Sequence, residues 1–259
     1  MSLDVASPAP RLLSRLLALR DLGRYPVLRA GGALDVIEIG AGLGDAAALV
    51  ADELPVNRLA LFELSARARR VLSERFDGDA RVTIARDVLV GTDRFDLALC
   101  FEVMEHVEDD AEFLGTIRDR LHGTGLFIGS VPAHARLWGA GDVLAGHFRR
   151  YDEPVLRERL DAAGFDTLEM VGYGSPVSWL QPIRERHYAR RLAGVQAHDK
   201  LSGTLASGVS RELVDRLPKR PVEALVRCAH ALRVLPGVKR HDDGWLFVCR
   251  VRPDAAARS

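Results

Sequence analysis

The 259-residue sequence is poor in cysteine and in aromatic residues, and it carries no formal net charge. Its three cysteines, Cys100, Cys228 and Cys249, are too few and too far apart for a disulfide scaffold or a CxxC-type zinc site, which favours a reducing cytoplasm. The 36 basic residues are balanced by 36 acidic ones, which argues against nucleic acid or an anionic membrane as the main partner. No apolar run approaches the roughly 20 residues that a membrane-spanning helix requires. We therefore expect a cytoplasmic globular protein without a nucleic-acid or membrane partner.

The length allows one large domain, or a core domain with a lid. Residues 1–30 are predicted to form an N-terminal helix, because leucines recur at helical spacing after a Pro-Ala-Pro start signal. Arginines interrupt these leucines, which argues against a secretory signal and leaves an organellar presequence as the alternative. We expect an α/β core over 31–173, a helical insertion or substrate lid over 174–243, and a final strand with its tail over 244–259. The oligomeric state is not readable from the sequence, and a homodimer is one alternative.

Short apolar runs alternate with helical patterns along the core, which is typical of a parallel sheet wrapped by helices. Strands are predicted at 36–39, 59–64, 82–85, 95–100, 125–131, 167–173 and 244–251. Helices are predicted at 45–53, 66–76 and 109–121. A further helix is predicted to start at Asp152-Glu153-Pro154, with an N-cap and a proline in its first turn, and to be closed by Gly164. The segment 133–150 has no clear period and is predicted to be a loop or a short helical excursion. The predicted fold class is α/β, with a doubly wound, mostly parallel, seven-stranded sheet and a helical lid.

Glycines at alternate positions follow the first predicted strand, in the sequence EIGAGLGD at 38–45. This GxGxG spacing differs from the GxGxxG of dinucleotide binders, and Glu38 suits a positively charged ligand better than a pyrophosphate. Glu63 ends the second strand, 19 residues after Gly44, where an acid can accept hydrogen bonds from ribose hydroxyls. Asp87 closes the third strand, where it can reach an adenine edge. Together these positions predict a nucleoside-binding domain.

The same segments resemble the class I S-adenosylmethionine (SAM)-dependent methyltransferases, a Rossmann-like family, over about residues 34–165. VIEIGAGLGD is similar to the glycine-rich motif of that family, LALFEL to its ribose-binding strand end, ARDV to its adenine-binding turn, and FDLALCFEVMEHVED to its fourth strand and following loop. The segment that begins GHFRRY resembles an ending common among its small-molecule enzymes. The resemblance implies a SAM-binding core whose cofactor contacts are Glu38, Gly40, Ala41, Gly42, Gly44, Glu63, Leu64, Asp87, Val88, Phe101 and Glu102. Phe101 departs from the smaller polar residue that the family often has there.

Two segments supply candidate catalytic bases. If the turn after the fourth strand is helical, Glu102, Glu105 and His106 share one face. His147 lies at the end of the irregular segment, which is expected to cover the same edge of the sheet. A neutral histidine can accept a proton at physiological pH, so we predict His106 and His147 as bases with Glu105 beside them. These bases favour O-methylation of a small molecule, with an N- or C-methyltransferase as the alternative.

A divalent metal bound by Glu102, Glu105, His106 and His147 is a further alternative. The ExxEH spacing with a distant histidine resembles the metal site of small-RNA 3′-end 2′-O-methyltransferases. Its acidic part also resembles ubiquinone-pathway O-methyltransferases. Two oxygen and two imidazole ligands suit manganese, iron or zinc better than magnesium, and such an ion would acidify a hydroxyl. The EVxEHV pattern is widespread in the family without a metal, so we do not favour this alternative.

Four residues are candidate substrate contacts. Arg149 and Arg150 are predicted to bind an anionic group, although bonds to protein carbonyls and acids are an equal alternative. Tyr151 is a candidate contact, with packing under the following helix as the alternative. Trp179 is a candidate in the insertion, with packing within the lid as the alternative. Two rival functions are an NAD-dependent oxidoreductase, whose GxGxxG and YxxxK patterns we do not find, and a non-catalytic SAM-binding module.

Overall fold

The computed structural model describes residues 32–86, 92–174, 181–193 and 242–253. Strands in these ranges are β1 (Leu34–Ile39), β2 (Val56–Phe62), β3 (Val82–Ala85), β4 (Phe95–Phe101), β5 (Leu121–Pro132), β6 (Phe165–Tyr173) and β7 (Gly244–Val251). The α-helices are α1 (Asp45–Glu53), α2 (Ala66–Arg75), α3 (Asp110–Asp119), α4 (Ala140–Ala145), α5 (Glu153–Ala162) and α6 (Gln181–Ala193). The helix predicted over 1–30, most of the predicted insertion, Asp87, Val88 and Trp179 lie outside the described residues.

The strands form one seven-stranded sheet in the order β3-β2-β1-β4-β5-β7-β6. Strand β7 runs antiparallel to both β5 and β6, whereas the other neighbouring pairs are parallel. This arrangement confirms the predicted mostly parallel α/β sheet. The strand order reverses between β1 and β4, and in open α/β sheets ligands bind at the carboxyl ends of the strands beside such a reversal.

Apolar side chains are buried on both faces of the sheet, as helices on both sides require. In β7 the side chains of Leu246 and Val248 join one buried cluster. Those of Trp245, Phe247 and Cys249 join the cluster on the opposite face. The alternation confirms that the final strand is buried on both sides.

The register of the parallel strands brings three chain segments together at one edge. Ile39 of β1 pairs with Phe62 of β2 and with Cys100 of β4. The amides of Gly40 and Ala41 then donate to the Phe62 carbonyl, at 2.8 and 3.1 Å. The residues that follow β1, β2 and β4 therefore meet at the carboxyl edge of the sheet.

The helices are short, and side chains cap two of them. Ser65 Oγ accepts a hydrogen bond from the Ala68 amide at the start of α2, and Asp109 Oδ1 accepts one from the Glu112 amide at the start of α3. Helix α6 has 13 residues. Within the described ranges, no helix combines the length and apolar character needed to cross a membrane.

The segment between β5 and α5 contains the short helical excursion that the sequence predicts. It comprises a 3₁₀ turn (Ala135–Leu137) and α4, which ends at Gly146 with a φ of 79°. The segment returns to its starting point, because the Tyr151 amide donates to the Pro132 carbonyl at 3.0 Å and the His134 amide donates to the Tyr151 carbonyl at 2.9 Å. The excursion is therefore a closed loop anchored at the carboxyl end of β5.

Helix α6, which lies in the predicted insertion, packs against this loop. A Cβ atom on Gly139 would lie 2.2 Å from Glu185 Oε2, and one on Gly141 would lie 2.9 Å from Tyr188 Cδ2. Glycine at these two positions allows α6 to approach the loop closely.

We predict that Gly129→Ala destabilises the fold by about 1–3 kcal/mol, because the added methyl group overpacks the centre of the sheet. Its Cβ would lie 2.4 Å from Phe247 Cζ and 2.9 Å from the Cys100 carbonyl oxygen. Urea unfolding monitored by circular dichroism gives the free energy. Gly115→Ala is the matched control, since its Cβ in α3 meets nothing within 4 Å and alanine favours a helix over glycine by about 1 kcal/mol. Equal stability of the two variants would contradict the prediction.

Candidate active site

The loop between β1 and α1 has a backbone that only glycine adopts easily. Gly40, Gly42 and Gly44 have φ angles of 74°, 55° and 80°. A Cβ on Gly40 would lie 2.3 Å from Val103 Cγ2, and one on Gly44 would lie 2.7 Å from Leu72 Cδ2. The first and third glycines are thus required by the turn and its packing, in addition to the ligand contact that the sequence predicts for them.

Glu63 connects this loop to the end of β2. Its Oε2 accepts a hydrogen bond from the Gly42 amide at 2.8 Å, and its Oε1 accepts one from the Ser65 amide at 2.7 Å. Leu64 beside it is 53% exposed. The Glu63 carboxylate is therefore fixed against the glycine loop, at the position predicted for binding ribose hydroxyls.

Glu102 follows β4 in an uncommon conformation. Its φ is 55°, a left-handed value that non-glycine residues rarely adopt. Its Oε1 accepts hydrogen bonds from Ser130 Oγ of β5 at 3.0 Å and from the Tyr173 hydroxyl of β6. Glu38, near the end of β1, and Phe101, at the end of β4, are both buried. Strands β5 and β6 thus hold the Glu102 carboxylate. Backbone strain of this kind is concentrated at functional sites.

Glu105, His106 and His147 form a compact group, which we call the histidine cluster. Each offers one ligand atom, and these atoms lie within 4.8 Å of one another. The imidazole centroids of His106 and His147 are 4.7 Å apart, and His147 Nε2 is 3.9 Å from Glu105 Oε1. Glu102, predicted to share a face with Glu105 and His106, is not part of this group, because only Met104–His106 form a 3₁₀ turn and Glu102 precedes it.

Two hydrogen bonds join the segments that carry the cluster, which are about 40 residues apart in the sequence. The Phe148 amide donates to the Glu105 carbonyl at 2.7 Å. The His106 ring is hydrogen bonded to the backbone of Gly146. The turn after β4 and the loop after α4 are therefore joined on both sides of His147.

Asp142 of α4 contacts the ring of His147 and was not predicted from the sequence. Its Oδ1 lies 2.8 Å from His147 Nδ1, and both of its carboxylate oxygens accept hydrogen bonds from Arg150 Nε at 2.9 Å. Burial alone would raise the pKa of Asp142, but its bonds with His147 and with the Arg150 guanidinium outweigh burial and hold the pKa below its usual value. Asp142 is therefore a buried carboxylate.

Burial also changes the titration of His106. Loss of solvent and, to a smaller extent, the neighbouring His147 lower the pKa of His106 from 6.5 to about 4. The His106 imidazole is therefore neutral at physiological pH.

Both predicted substrate-binding arginines are engaged by protein groups. Arg150 is buried between Asp142 and Asp243, with Nη1 3.2 Å from Asp243 Oδ1. Arg149 Nη1 lies 2.7 Å from a carboxylate oxygen of Asp110. The structure thus favours the alternative, bonds to protein acids, and does not support the predicted role in binding an anionic substrate.

Tyr151 lies in the core, 1% exposed, and its hydroxyl donates to Asp110 Oδ2 at 2.9 Å. Burial and the Asp110 carboxylate raise the pKa of this hydroxyl. Tyr151 packs in the same buried cluster as Leu156 and Leu160 of α5. Its predicted role as a substrate contact is not supported, because the side chain is enclosed by the protein.

The strand order, the glycine loop and the acid that follows β2 define a Rossmann-like α/β fold. Residues 4–170, well over half of the chain, match the family model described as a methyltransferase domain. The chain belongs to this methyltransferase family. No match was found among curated protein sequences.

Solved structures share the fold over nearly the whole chain. A SAM-dependent methyltransferase from Mesorhizobium loti is 16% identical, with 92% of this chain and 97% of that chain covered and a TM-score of 0.56. Mycolic acid cyclopropane synthase CmaA1, solved with S-adenosylhomocysteine (SAH) and CTAB, is 13% identical, with 90% of this chain and 83% of that chain covered and a TM-score of 0.56. At these identities the likeness establishes the fold.

We predict that His106 makes the protein less stable as pH falls. Its pKa is about 4 in the folded state and near 6.5 when unfolded, so between these values the unfolded chain binds more protons. The contribution of His106 is fully present above pH 6.5 and is lost as pH falls to about 4, by up to about 3 kcal/mol. Urea unfolding of chelator-treated protein across this range should show a flatter profile for His106→Gln than for the wild type. His187→Gln, at an exposed position on α6, is the control. Parallel profiles for His106→Gln and the wild type would refute the assignment.

Proposed function

We propose that this enzyme transfers the methyl group of SAM to a hydroxyl group of a small molecule, with His147 as the general base. The observation that carries the proposal is the position of His147, which contacts the turn directly after β4 while Asp142 holds its other ring nitrogen. The carboxyl end of β4 adjoins the reversal in strand order, where ligands of open α/β sheets bind.

The residues at this edge fit SAM. The cofactor supplies a methyl group made electrophilic by the positive sulfonium. Glu63, held by the Gly42 and Ser65 amides, has the acceptor atoms that ribose hydroxyls need. The carboxylates of Glu38 and Glu102 suit a ligand with positive charge. The glycines of the loop have no side chains, so the ligand can approach the backbone closely.

The histidine cluster supplies acid–base chemistry to the acceptor. His147 Nδ1 is hydrogen bonded to Asp142, so Nε2 is the ring nitrogen that can take the proton of a hydroxyl. The cation that results is stabilised by two carboxylates, that of Asp142 at Nδ1 and that of Glu105 at 3.9 Å from Nε2. A base so placed contributes about a hundred- to ten-thousand-fold to the rate. Neutral His106, beside His147, is the second candidate base.

A small-molecule acceptor accords with the balanced charge and with the engagement of Arg149 and Arg150 by protein acids. Methylation at nitrogen or carbon is the alternative, which analysis of the product distinguishes. A cytoplasmic location is proposed from the cysteine content, and Cys100 and Cys249 are free and buried.

We predict that His147→Gln lowers turnover by about a hundredfold or more, because the acceptor proton loses its base. Turnover is measured as SAH formation with phenols, catechols, alcohols and sugars as acceptors. Calorimetry should give the same SAH affinity for His147→Gln as for the wild type.

Glu63→Gln is the complementary variant and should weaken SAH binding, since a ribose contact is altered. Unchanged turnover in His147→Gln rejects the base, and preferential binding of NAD would overturn the cofactor assignment.

A divalent metal in the histidine cluster is the second candidate, favoured by the proximity of its three ligand atoms. Glu105 would supply a carboxylate oxygen and His106 and His147 would supply imidazole nitrogens, a donor set suited to manganese, iron or zinc. Such an ion would lower the pKa of an acceptor hydroxyl bound beside it. Glu102 lies outside this group because β5 and β6 hold its carboxylate.

The metal and the metal-free base give opposite results on chelation. If the ion takes part, EDTA treatment followed by dialysis should abolish turnover, and adding Mn²⁺, Fe²⁺ or Zn²⁺ should restore it while SAH affinity stays constant. Loss of one of three ligands in His106→Gln should also weaken metal binding in calorimetry at least about tenfold. Activity that is indifferent to EDTA excludes the ion and favours the metal-free base.

A further inference from the structure

A buried ionic network lies behind His147. The guanidinium of Arg150 donates to both carboxylate oxygens of Asp142, to Asp243 Oδ1 and to the Ala133 carbonyl. The side chains of Asp142 and Asp243 are 1% and 3% exposed. Burying the charged groups of Arg150, Asp142 and Asp243 costs the free energy of their hydration. Stability alone therefore does not explain this network.

Asp142 binds His147 in two ways. The Asp142 carbonyl accepts a hydrogen bond from the His147 amide at 3.0 Å, and its Oδ1 lies 2.8 Å from the ring atom Nδ1. Asp142 Oδ2 accepts from the Gly139 amide at 2.9 Å. Because an ionised carboxylate only accepts hydrogen bonds, His147 Nδ1 must carry the proton. In the neutral ring, Nε2 is then the nitrogen with a free lone pair.

We propose that Asp142 is a positioning residue, which fixes His147 in the tautomer protonated on Nδ1 and presents Nε2 toward Glu105 and His106. Arg150 and the Gly139 amide both donate to the Asp142 carboxylate, which holds it against His147 Nδ1 as a hydrogen-bond acceptor. The catalytic consequence rests on the proposed function, since Nε2 is the atom that takes the acceptor proton. The same tautomer would also be required if Nε2 bound a metal.

A purely structural role for Asp142 is the alternative, in which it neutralises Arg150 and caps α4. Asp243 separates the two roles, because it is equally buried and bonds to the same guanidinium, while the bond to the His147 ring comes from Asp142. An asparagine at either position removes one negative charge from Arg150. Only the asparagine at position 142 also changes the group that faces His147 Nδ1.

The test is the tautomer of His147, measured by long-range ¹H–¹⁵N correlation spectra of protein labelled with ¹⁵N-histidine. The protein is chelator-treated, free of cofactor and at mildly alkaline pH, and the His147 signal is assigned by its loss in His147→Gln. We expect the wild type and Asp243→Asn to be protonated on Nδ1. In Asp142→Asn the ratio of the Nδ1-protonated to the Nε2-protonated tautomer should fall by about tenfold, because the amide can donate to Nδ1 as well as accept from it. Asp142→Glu, which keeps a carboxylate, should restore part of the ratio.

Two results would overturn the proposal: a wild-type ring protonated on Nε2 or on both nitrogens, and a tautomer ratio that Asp142→Asn leaves unchanged. The wild-type spectrum decides the first of these even if Asp142→Asn does not fold. The spectra need no acceptor, so the positioning role is tested separately from the proposed function. Normal turnover in His147→Gln together with the expected spectra would refute the base and support the role of Asp142 in fixing the tautomer.

Discussion

The register of β1 against β2 and β4 determines where each candidate functional group lies. Ile39 pairs with Phe62 of β2 and with Cys100 of β4. The segments that follow these three strands therefore leave the sheet at the same level. The glycine loop, Glu63 and Glu102 are the immediate continuations of those strands. A shift of one residue in any of them would move the buried face of the strand to the opposite side as well as displace the site. Core packing and site geometry are therefore set by the same pairing.

The histidine cluster depends on the closed loop that follows β5. Backbone hydrogen bonds at Pro132 and Tyr151 join its two ends, and the bond from Phe148 to Glu105 fastens it to the turn after β4. Tyr151 and Asp110 occupy the core below this junction. The histidine cluster is thus assembled on two short segments that hydrogen bonds attach to the sheet and the core.

Much of the fold could be predicted from the sequence because its signals are local. Apolar runs separated by caps and glycines identified all seven strands, and the continuous apolar run in 244–251 correctly indicated burial on both faces. The glycine loop and Glu63 were found for the same reason, since spacing along one strand–turn–helix unit is preserved in the fold. Roles that depend on a partner far along the chain were harder to assign.

The contact of Asp142 with His147 could not be predicted from the sequence. Nothing around position 142 marks an acid that contacts His147, because the contact forms only when α4 turns back at Gly146. Arg149, Arg150 and Tyr151 lie in one short motif, but their partners Asp110 and Asp243 are 39 to 93 residues away in the sequence. Glu102 failed to join Glu105 and His106 because the turn is 3₁₀ and begins after it.

The way the chain passes from β6 to β7 limits how this protein can be altered. Tyr173 and Gly244 are paired directly across the two strands. A Cβ on Gly244 would lie 2.2 Å from Tyr173 Cζ, so the tyrosine ring fills the space beside this glycine. The stretch between these residues contributes Asp243 to the ion pair with Arg150, and its helix α6 packs against Gly139 and Gly141. A chimera that exchanges this stretch therefore has to keep Asp243 and the α6 contacts if the loop that carries His147 is to hold its conformation.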